Sequence, residues 1–384
     1  MVESKVRDAV EKELSGTLYA CTSLTQLSGG TANFVYRGVL SQPLPDGTTT
    51  VIVKHAEDYL ASNAGFKLSA KRCLVEESAL RALDSMQSVT TTNESPGSGQ
   101  KYQITVKTPN IYHFSPETYT QVMEDLPSAV DLKTFLRSPG VSDRISKDWS
   151  LSIGRTLGAW LRSFHFWIAD PKQIDVATQF GEWKVMRDLK FSINYDGLLS
   201  RIEAYPDLLE GSREVFEKVR DLAASELEES ELEGSAIRPI HGDFWSGNVL
   251  IPTTSLSQPL PTTPLLITDW EMSQVAPRSL DLAQMIAELY MLKHFRDIDA
   301  GLWIIQGFVE GYQDITEDMA FRILIHVGTH LVFWGSTIPD WGNQEQVREV
   351  VRVGRDLITR AWGRDRAWFG SRGEAEVWGV LLRE

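Results

Sequence analysis

The segment HGDFWSGNVLI (residues 241–251), followed by LLITDWE (265–271), constrains this 384-residue chain more than any other feature. It sets two carboxylates and an amide, Asp243, Asp269 and Asn248, among apolar runs that read as short buried strands. A carboxylate left there without a partner is costly, so these positions call for a chemical reason. Asp243 and Asn248 are five residues apart, and Asp269 lies 21 beyond Asn248. The Pro/Thr/Ser-rich connector between the two runs suggests a hairpin that returns Asp269 beside Asn248. An amide oxygen and a carboxylate converging on one point suit Mg2+, which prefers hard oxygen ligands and keeps several waters. Asp243 is then left to orient and deprotonate an incoming hydroxyl.

The rest of the chain divides by pattern. A helix is predicted over 4–14, then strands within 24–40 and 48–57 joined by the Pro, Asp and Gly of a turn. Helical spacing returns over 66–86, SVTTTNESPGSGQ (88–100) reads as a polar surface loop, and two strands follow at 101–109 and 119–126. Beyond about 131 the pattern is mainly helical, including 145–167, where Gly154 and Gly158 suit close helix packing, and about 212–232. The predicted fold class is therefore α+β, with a β-rich N-terminal lobe over 1–126 and a mainly α-helical C-terminal lobe over 127–384.

Charge narrows the partners. The 38 Lys and Arg residues against 52 Asp and Glu leave a net charge of −14, which repels phosphate backbones and anionic lipid and argues against a nucleic-acid or membrane-surface role. Cys21 and Cys73 are too few for a disulfide framework and lack zinc-site spacing. The first residues mix charge into every turn, and no run reaches the roughly 18 apolar residues of a membrane span. The expected location is cytoplasmic.

HGDFWSGN resembles the catalytic loop of the aminoglycoside phosphotransferase and choline kinase superfamily, whose HxDxxxxN pattern parallels that of protein kinases. TDWE is similar to that superfamily's metal-binding Asp segment. LSGGTANFVYRGVL resembles its phosphate-covering loop, VIVKH the strand of its phosphate-binding Lys, LVEESAL the helix of the Glu partner, and VMEDL the hinge that receives adenine. The similarity runs from about residue 24 to 290 in the family's order, and is nearest to the methylthioribose-kinase-like branch that includes fungal hydroxytryptamine kinase. It implies a protein-kinase-like two-lobed fold and an ATP-dependent, Mg2+-dependent transfer of a γ-phosphate to a hydroxyl of a small, amine-bearing molecule. It also implies roles: Asp243 as base, Asn248 and Asp269 as metal ligands, and Lys54 on the α- and β-phosphates with Glu76, or Glu77, as its partner. Ser28, Gly29, Gly30 and Thr31 would offer backbone N–H groups to phosphate oxygens. Glu124 and Leu126 would meet adenine through backbone atoms.

Other residues read more plainly. His241 supports the loop, His165 is a satisfied core histidine, Asp281 anchors a helix start, and His326, His330 and Trp334 form a core stripe. Glu271 either reaches a second metal or caps its segment. Residues 271–320 hold nine acids against three bases, interleaved with aromatics, which suits an ammonium-bearing acceptor by ion pairing and cation–π contact. A catalytically silent nucleotide-binding module is the alternative, disfavoured because the Lys, the base and the metal Asp are all present. A protein-substrate kinase is disfavoured because SQVAPRSLDLA leads directly into a helix.

Overall fold

The structure, a computed structural model, describes residues 2–27, 30–94, 101–141, 144–229, 237–256, 262–339, 341–371 and 374–382. It begins with helix α1 (Val2–Leu14) and strands β1 (Cys21–Gln26), β2 (Phe34–Leu40) and β3 (Thr50–His55). A small hairpin, β4 (Tyr59–Leu60) and β5 (Asn63–Lys67), leads to helix α2 (Arg72–Leu83). Strands β6 (Val89–Glu94), β7 (Lys101–Lys107), β8 (Ile111–Ser115), β9 (Thr120–Glu124) and β10 (Ala129–Asp131) follow. Then come helices α3 (Leu132–Arg137), α4 (Lys147–Trp167), α5 (Ile174–Glu182), α6 (Lys184–Phe191), α7 (Gly197–Ala204), α8 (Pro206–Leu209) and α9 (Arg213–Glu229). Strands β11 (Arg238–Ile240), β12 (Val249–Pro252), β13 (Thr262–Ile267) and β14 (Gln274–Ala276) precede α10 (Ser279–Arg296), α11 (Ala300–Tyr312), α12 (Glu317–Thr337) and α13 (Gln344–Trp362).

Two compact units emerge, one of residues 1–87, 108–129 and 268–271, the other of 88–107, 130–267 and 272–384. This division is discontinuous, unlike the single boundary expected at 126/127. The first unit is a five-stranded sheet in the order β1-β2-β3-β9-β8 with α1 and α2. Alternation drives one face of it inward: Phe34, Tyr36, Val51, Val53 and Val122 are buried together with Val6, Val10 and Leu14 of α1.

In the second unit β12, β13, β7 and β6 form one sheet, and the expected hairpin is present, with Val249 opposite Ile267 and Leu250 opposite Leu266. β13 then runs parallel to β7. The helices dominate this unit, and α4 meets α11 through glycines as the spacing suggested. A Cβ on Gly158 would lie 2.1 Å from the Phe308 carbonyl oxygen, and one on Gly311 2.1 Å from that of Arg155, so only glycines permit this approach.

Two local expectations fail. The helix predicted over 66–86 starts only at Arg72, because residues 63–67 pair as β5 with β4. The polar run predicted as loop contains β6, whose Val89 and successive threonines favour extended backbone and pair with β7, Thr90 opposite Thr105. Among the described residues no helix is long and apolar enough to cross a membrane.

Candidate active site

In the first unit Lys54 lies on β3 with its side chain turned into the protein, 2.7 Å from Glu76 of α2 and 2.6 Å from Asp269. Glu77 pairs with Arg81 one helical turn on, so the choice left open by the sequence falls to Glu76. Burial alone would lower the Lys54 ammonium, but Asp269, Glu76 and Glu271 outweigh it and hold it above its usual value. Burial pushes the Glu76 carboxyl up. Burial and the neighbouring Asp269 raise Glu271 to about 7. One oxygen each from Glu76, Asp269 and Glu271 fall within 4.8 Å of one another, a hard-oxygen donor set that fits a divalent cation.

Asp269 has a φ of 67°, in the left-handed region where aspartate is among the few tolerated side chains. Such local strain concentrates at functional sites. The next peptide is pinned, with Trp270 N donating to Glu76 Oε1 at 3.3 Å.

Glu271 neither stands alone nor merely caps its segment. It accepts from Asn33 Nδ2 at 2.6 Å and lies 3.2 Å from Arg72 Nε. Arg72 is fully buried, and its guanidinium also donates to the carbonyls of Ala32, Glu57, Leu68 and Ser69 and to Asn33 Oδ1. One arginine fork thus ties the chain after the glycine loop, the entry to α2 and the Asp269 segment together.

Of the expected phosphate-loop residues, Ser28 and Gly29 lie outside the described residues. Gly30 and Thr31 are exposed, and the Thr31 carbonyl accepts from Ser62 N at 3.0 Å. Glu124 ends β9, its N–H donating to the Asn110 carbonyl at 2.8 Å, and the Leu126 carbonyl accepts from Ala129 N at 3.1 Å. Between them Asp125 accepts a two-pronged pair from Arg37 of β2, at 2.9 and 3.0 Å.

In the second unit the loop 241–248 is built around a buried carboxylate of α10. Asp281 accepts from His241 N and Gly242 N, each at 2.9 Å, and from His165 Nε2 at 3.1 Å. It therefore anchors the loop itself rather than a helix start. The other nitrogen of His165 meets Tyr312 Oη at 3.0 Å, so this histidine is satisfied within the core. Gly242 has φ 79°, and a Cβ there would lie 2.0 Å from the Met272 carbonyl oxygen, so only glycine fits. His241 accepts from Asp243 N through Nδ1 at 3.2 Å, a supporting role.

Four side chains converge on the Asp243 carboxylate. Lys190 of α6 and Gln284 of α10 donate to Oδ1 at 3.0 and 2.7 Å, and Trp245 Nε1 and Asn248 Nδ2 donate to Oδ2 at 3.1 and 3.0 Å. Gln284 also accepts from Lys190 at 2.7 Å. Burial pushes this carboxyl up, but Lys190 and Gln284 outweigh it and hold it at about 2. Asn248 also donates to the Asp243 carbonyl at 2.9 Å, which fixes how its amide faces.

Sequence reasoning missed Lys190, Gln284, Arg72 and Asn33. Trp245 alone carried a signal, its place two residues after Asp243. The nine acids of 271–320 also differ from expectation, since each has a partner within the chain. Glu271 and Asp281 serve the networks above, and Glu288 holds Lys133 and His330. Asp297 and Asp299 pair with Lys293, Glu310 with Arg155, and Asp314 with Arg278. Glu317 and Asp318 pair with Arg364. His326 meets Tyr195 and Trp334 meets Asn194, so the α12 stripe is core.

No family model matches the chain. A curated relative, phosphotransferase FrzJ of Cladobotryum sp, is 35% identical over 92% of this chain and 91% of its own length. The 4-hydroxytryptamine kinase of Psilocybe cyanescens is 25% identical over 95% of this chain and 92% of its own. Among solved structures, choline kinase LicA from Streptococcus pneumoniae matches with a TM-score of 0.46 and 16% identity, covering 91% of this chain and 99% of that one. On its likeness to phosphotransferase FrzJ across nearly the whole of both sequences, the protein belongs to the aminoglycoside phosphotransferase and choline kinase superfamily, in company with the 4-hydroxytryptamine kinases.

Proposed function

We propose that Asp243 is the base of this chain's phosphoryl transfer, that Lys54 and Glu76 form its phosphate clamp, and that Asn248 and Asp269 hold its metal. The chain is a small-molecule kinase, an O-phosphotransferase that uses ATP. The observation that carries the assignment is the Asp243 carboxylate, held ionised by four donors on a loop pinned by Asp281. A carboxylate that stays ionised is available to orient the acceptor hydroxyl and to take its proton as the bond to phosphorus forms.

In the reaction the acceptor hydroxyl gives its proton to Asp243 as its oxygen bonds the γ-phosphorus. The bond from that phosphorus to the β,γ-bridging oxygen breaks, and ADP leaves with the electron pair. Lys54, kept cationic by its carboxylates, serves the α- and β-phosphates. Mg2+, when bound by Asp269 and Asn248, supplies neutralisation of phosphate charge. Glu124 and Leu126 serve adenine through backbone atoms, and Ser28, Gly29, Gly30 and Thr31 serve the phosphates through backbone N–H groups.

A small hydroxylated, amine-bearing acceptor fits the names of the relatives, among them 4-hydroxytryptamine kinase. The test is ADP release across a panel of phenolic amines, amino alcohols, thioribose sugars and aminoglycosides. One acceptor should be turned over, and Asp243→Asn should abolish that turnover. If no acceptor works and Asp243→Asn matches the native chain in residual ATPase, the assignment fails and a nucleotide-binding module takes its place.

A further inference from the structure

Glu288 differs from the other acids of 271–320 in the way its cation is held. Lys133, at the start of α3, places its ammonium 3.1 Å from Glu288 Oε2, with His330 on the other carboxylate oxygen at 3.0 Å. The same ammonium lies 4.8 Å from the Trp245 ring centroid and 4.3 Å from that of Trp341. The Lys133 side chain is 14% exposed and that of Glu288 5%, so the cation is largely out of water. A lysine that merely snorkels lays its stem on apolar surface and keeps its head wet. Here the charged head itself sits at two indole rings and a carboxylate, the chemistry that selects an ammonium. Trp245 is also the residue whose indole N–H donates to Asp243.

We propose that Lys133 is a tethered ammonium filling a cation cage of Trp245, Trp341 and Glu288 beside Asp243, and that it bars free quaternary ammonium groups from that wall. The designation of this wall as the acceptor side rests on the reading of Asp243 as base; the cage does not. An acceptor's own amine is consequently bound elsewhere, and choline-like cations are refused here. Removing the Lys133 side chain leaves Glu288 buried with only His330, and an ammonium from solution restores both the charge balance and the ring contacts.

The full-length chain with Lys133→Ala is titrated with tetramethylammonium chloride at constant ionic strength, by calorimetry and tryptophan fluorescence. Tetramethylammonium should bind Lys133→Ala at least about tenfold more tightly than the native chain, the scale of one desolvated cation–π contact. It should also raise the variant's Tm. Lys133→Arg, which keeps a cation in place, should bind no better than the native chain, and adding Glu288→Gln to Lys133→Ala should remove the gain. Equal affinity in native and Lys133→Ala chains, or undiminished binding in the double variant, overturns the proposal. Lys133→Ser supplies a second small side chain. Failure of both small variants to fold even when tetramethylammonium is present during refolding also overturns it, because an open cage would be refilled. The titration needs no turnover. A chain that binds the probe yet phosphorylates nothing counts against the Asp243 reading alone, and one that turns over but gains no binding counts against the cage alone.

Discussion

Replacing Lys190 by methionine isolates the influence of one ammonium on Asp243. The ammonium lies 3.0 Å from the carboxylate, with side-chain exposures of 16% and 25%, so the pair is mostly but not wholly screened from water. Asp243 is held at about 2, against an ordinary aspartate value near 3.9, a difference equivalent to about 2.6 kcal/mol before the partial exposure of the pair is discounted. The sign follows from the depression: this stabilisation is complete above about pH 4 and is lost as pH falls toward 2. Without Lys190, burial acts against Gln284, His241, Trp245 and Asn248, and the carboxyl should rise to its ordinary range or above. Stability at neutral pH should fall by about 2 kcal/mol, less than the 3–5 kcal/mol of a fully buried pair broken on one side.

The functional consequence is a change of profile rather than of neutral-pH rate alone. For the native chain Asp243 contributes no acid limb to kcat/KM above about pH 4. In Lys190→Met that limb should move up by about 2 pH units, while Lys190→Arg, which keeps a cation, should lie near the native profile. The measurement is kcat/KM against pH for the three chains, with urea midpoints at neutral pH as the control for folding. If Lys190→Met loses stability but its profile superimposes on the native one, Lys190 is a structural cation only and the electrostatic argument is refuted.

Gly242→Ala should cost more than about 3 kcal/mol, read from the urea midpoint, because the φ of 79° and the 2.0 Å approach to the Met272 carbonyl oxygen leave no room for a methyl group. Arg72→Lys should destabilise by about 3 kcal/mol and weaken ATP binding measured by calorimetry, since one ammonium cannot satisfy the carbonyls, Asn33 and Glu271 served by the fork. Chelating divalent cations should abolish turnover. Asp269→Asn should lower kcat/KM by about 100-fold or more and raise the Mg2+ concentration at half-maximal rate; an unchanged Mg2+ dependence would remove Asp269 from the metal site.

The residues legible in the sequence were those whose chemistry is tied to local spacing. Asp243 and Asn248 sit in one loop and Asp269 follows the paired strand, so the apolar runs around them already mark the two carboxylates, which the structure leaves part-buried. Glu76 and Glu77 could not be separated, because adjacent helical residues point about 100° apart and only tertiary packing decides which meets Lys54. Lys190 was invisible for a different reason: it lies 53 residues before Asp243 on α6, and nothing in its own neighbourhood marks a buried ammonium. Arg72 is alike, its partners being mostly backbone carbonyls, which carry no side-chain signature. The acids of 271–320 misled because composition counts charges without their partners, and their cations come from as far away as Arg155 and Arg364. The threonines in 88–94 look like loop because they are polar, yet their β-propensity favours extended backbone and pairing with β7 satisfies it.

Charge in the first unit explains why an acidic chain can still serve a triphosphate. Two cations, Lys54 and Arg72, face three carboxylates, Glu76, Asp269 and Glu271, so the cluster as it stands is short of positive charge. The strain of that imbalance shows on Glu271, raised to about 7 by burial and by Asp269. If Lys54 is the phosphate clamp proposed above, the cluster left so would repel those phosphates, and burial would make the repulsion stronger than in water. A divalent cation among those oxygens would favour the ionised form of all three carboxylates, and with all three ionised it would turn one negative charge in excess into one positive. On the proposed roles of these residues, nucleotide binding should depend on the metal, and the −14 of the whole chain, screened over distance, should have little bearing on it.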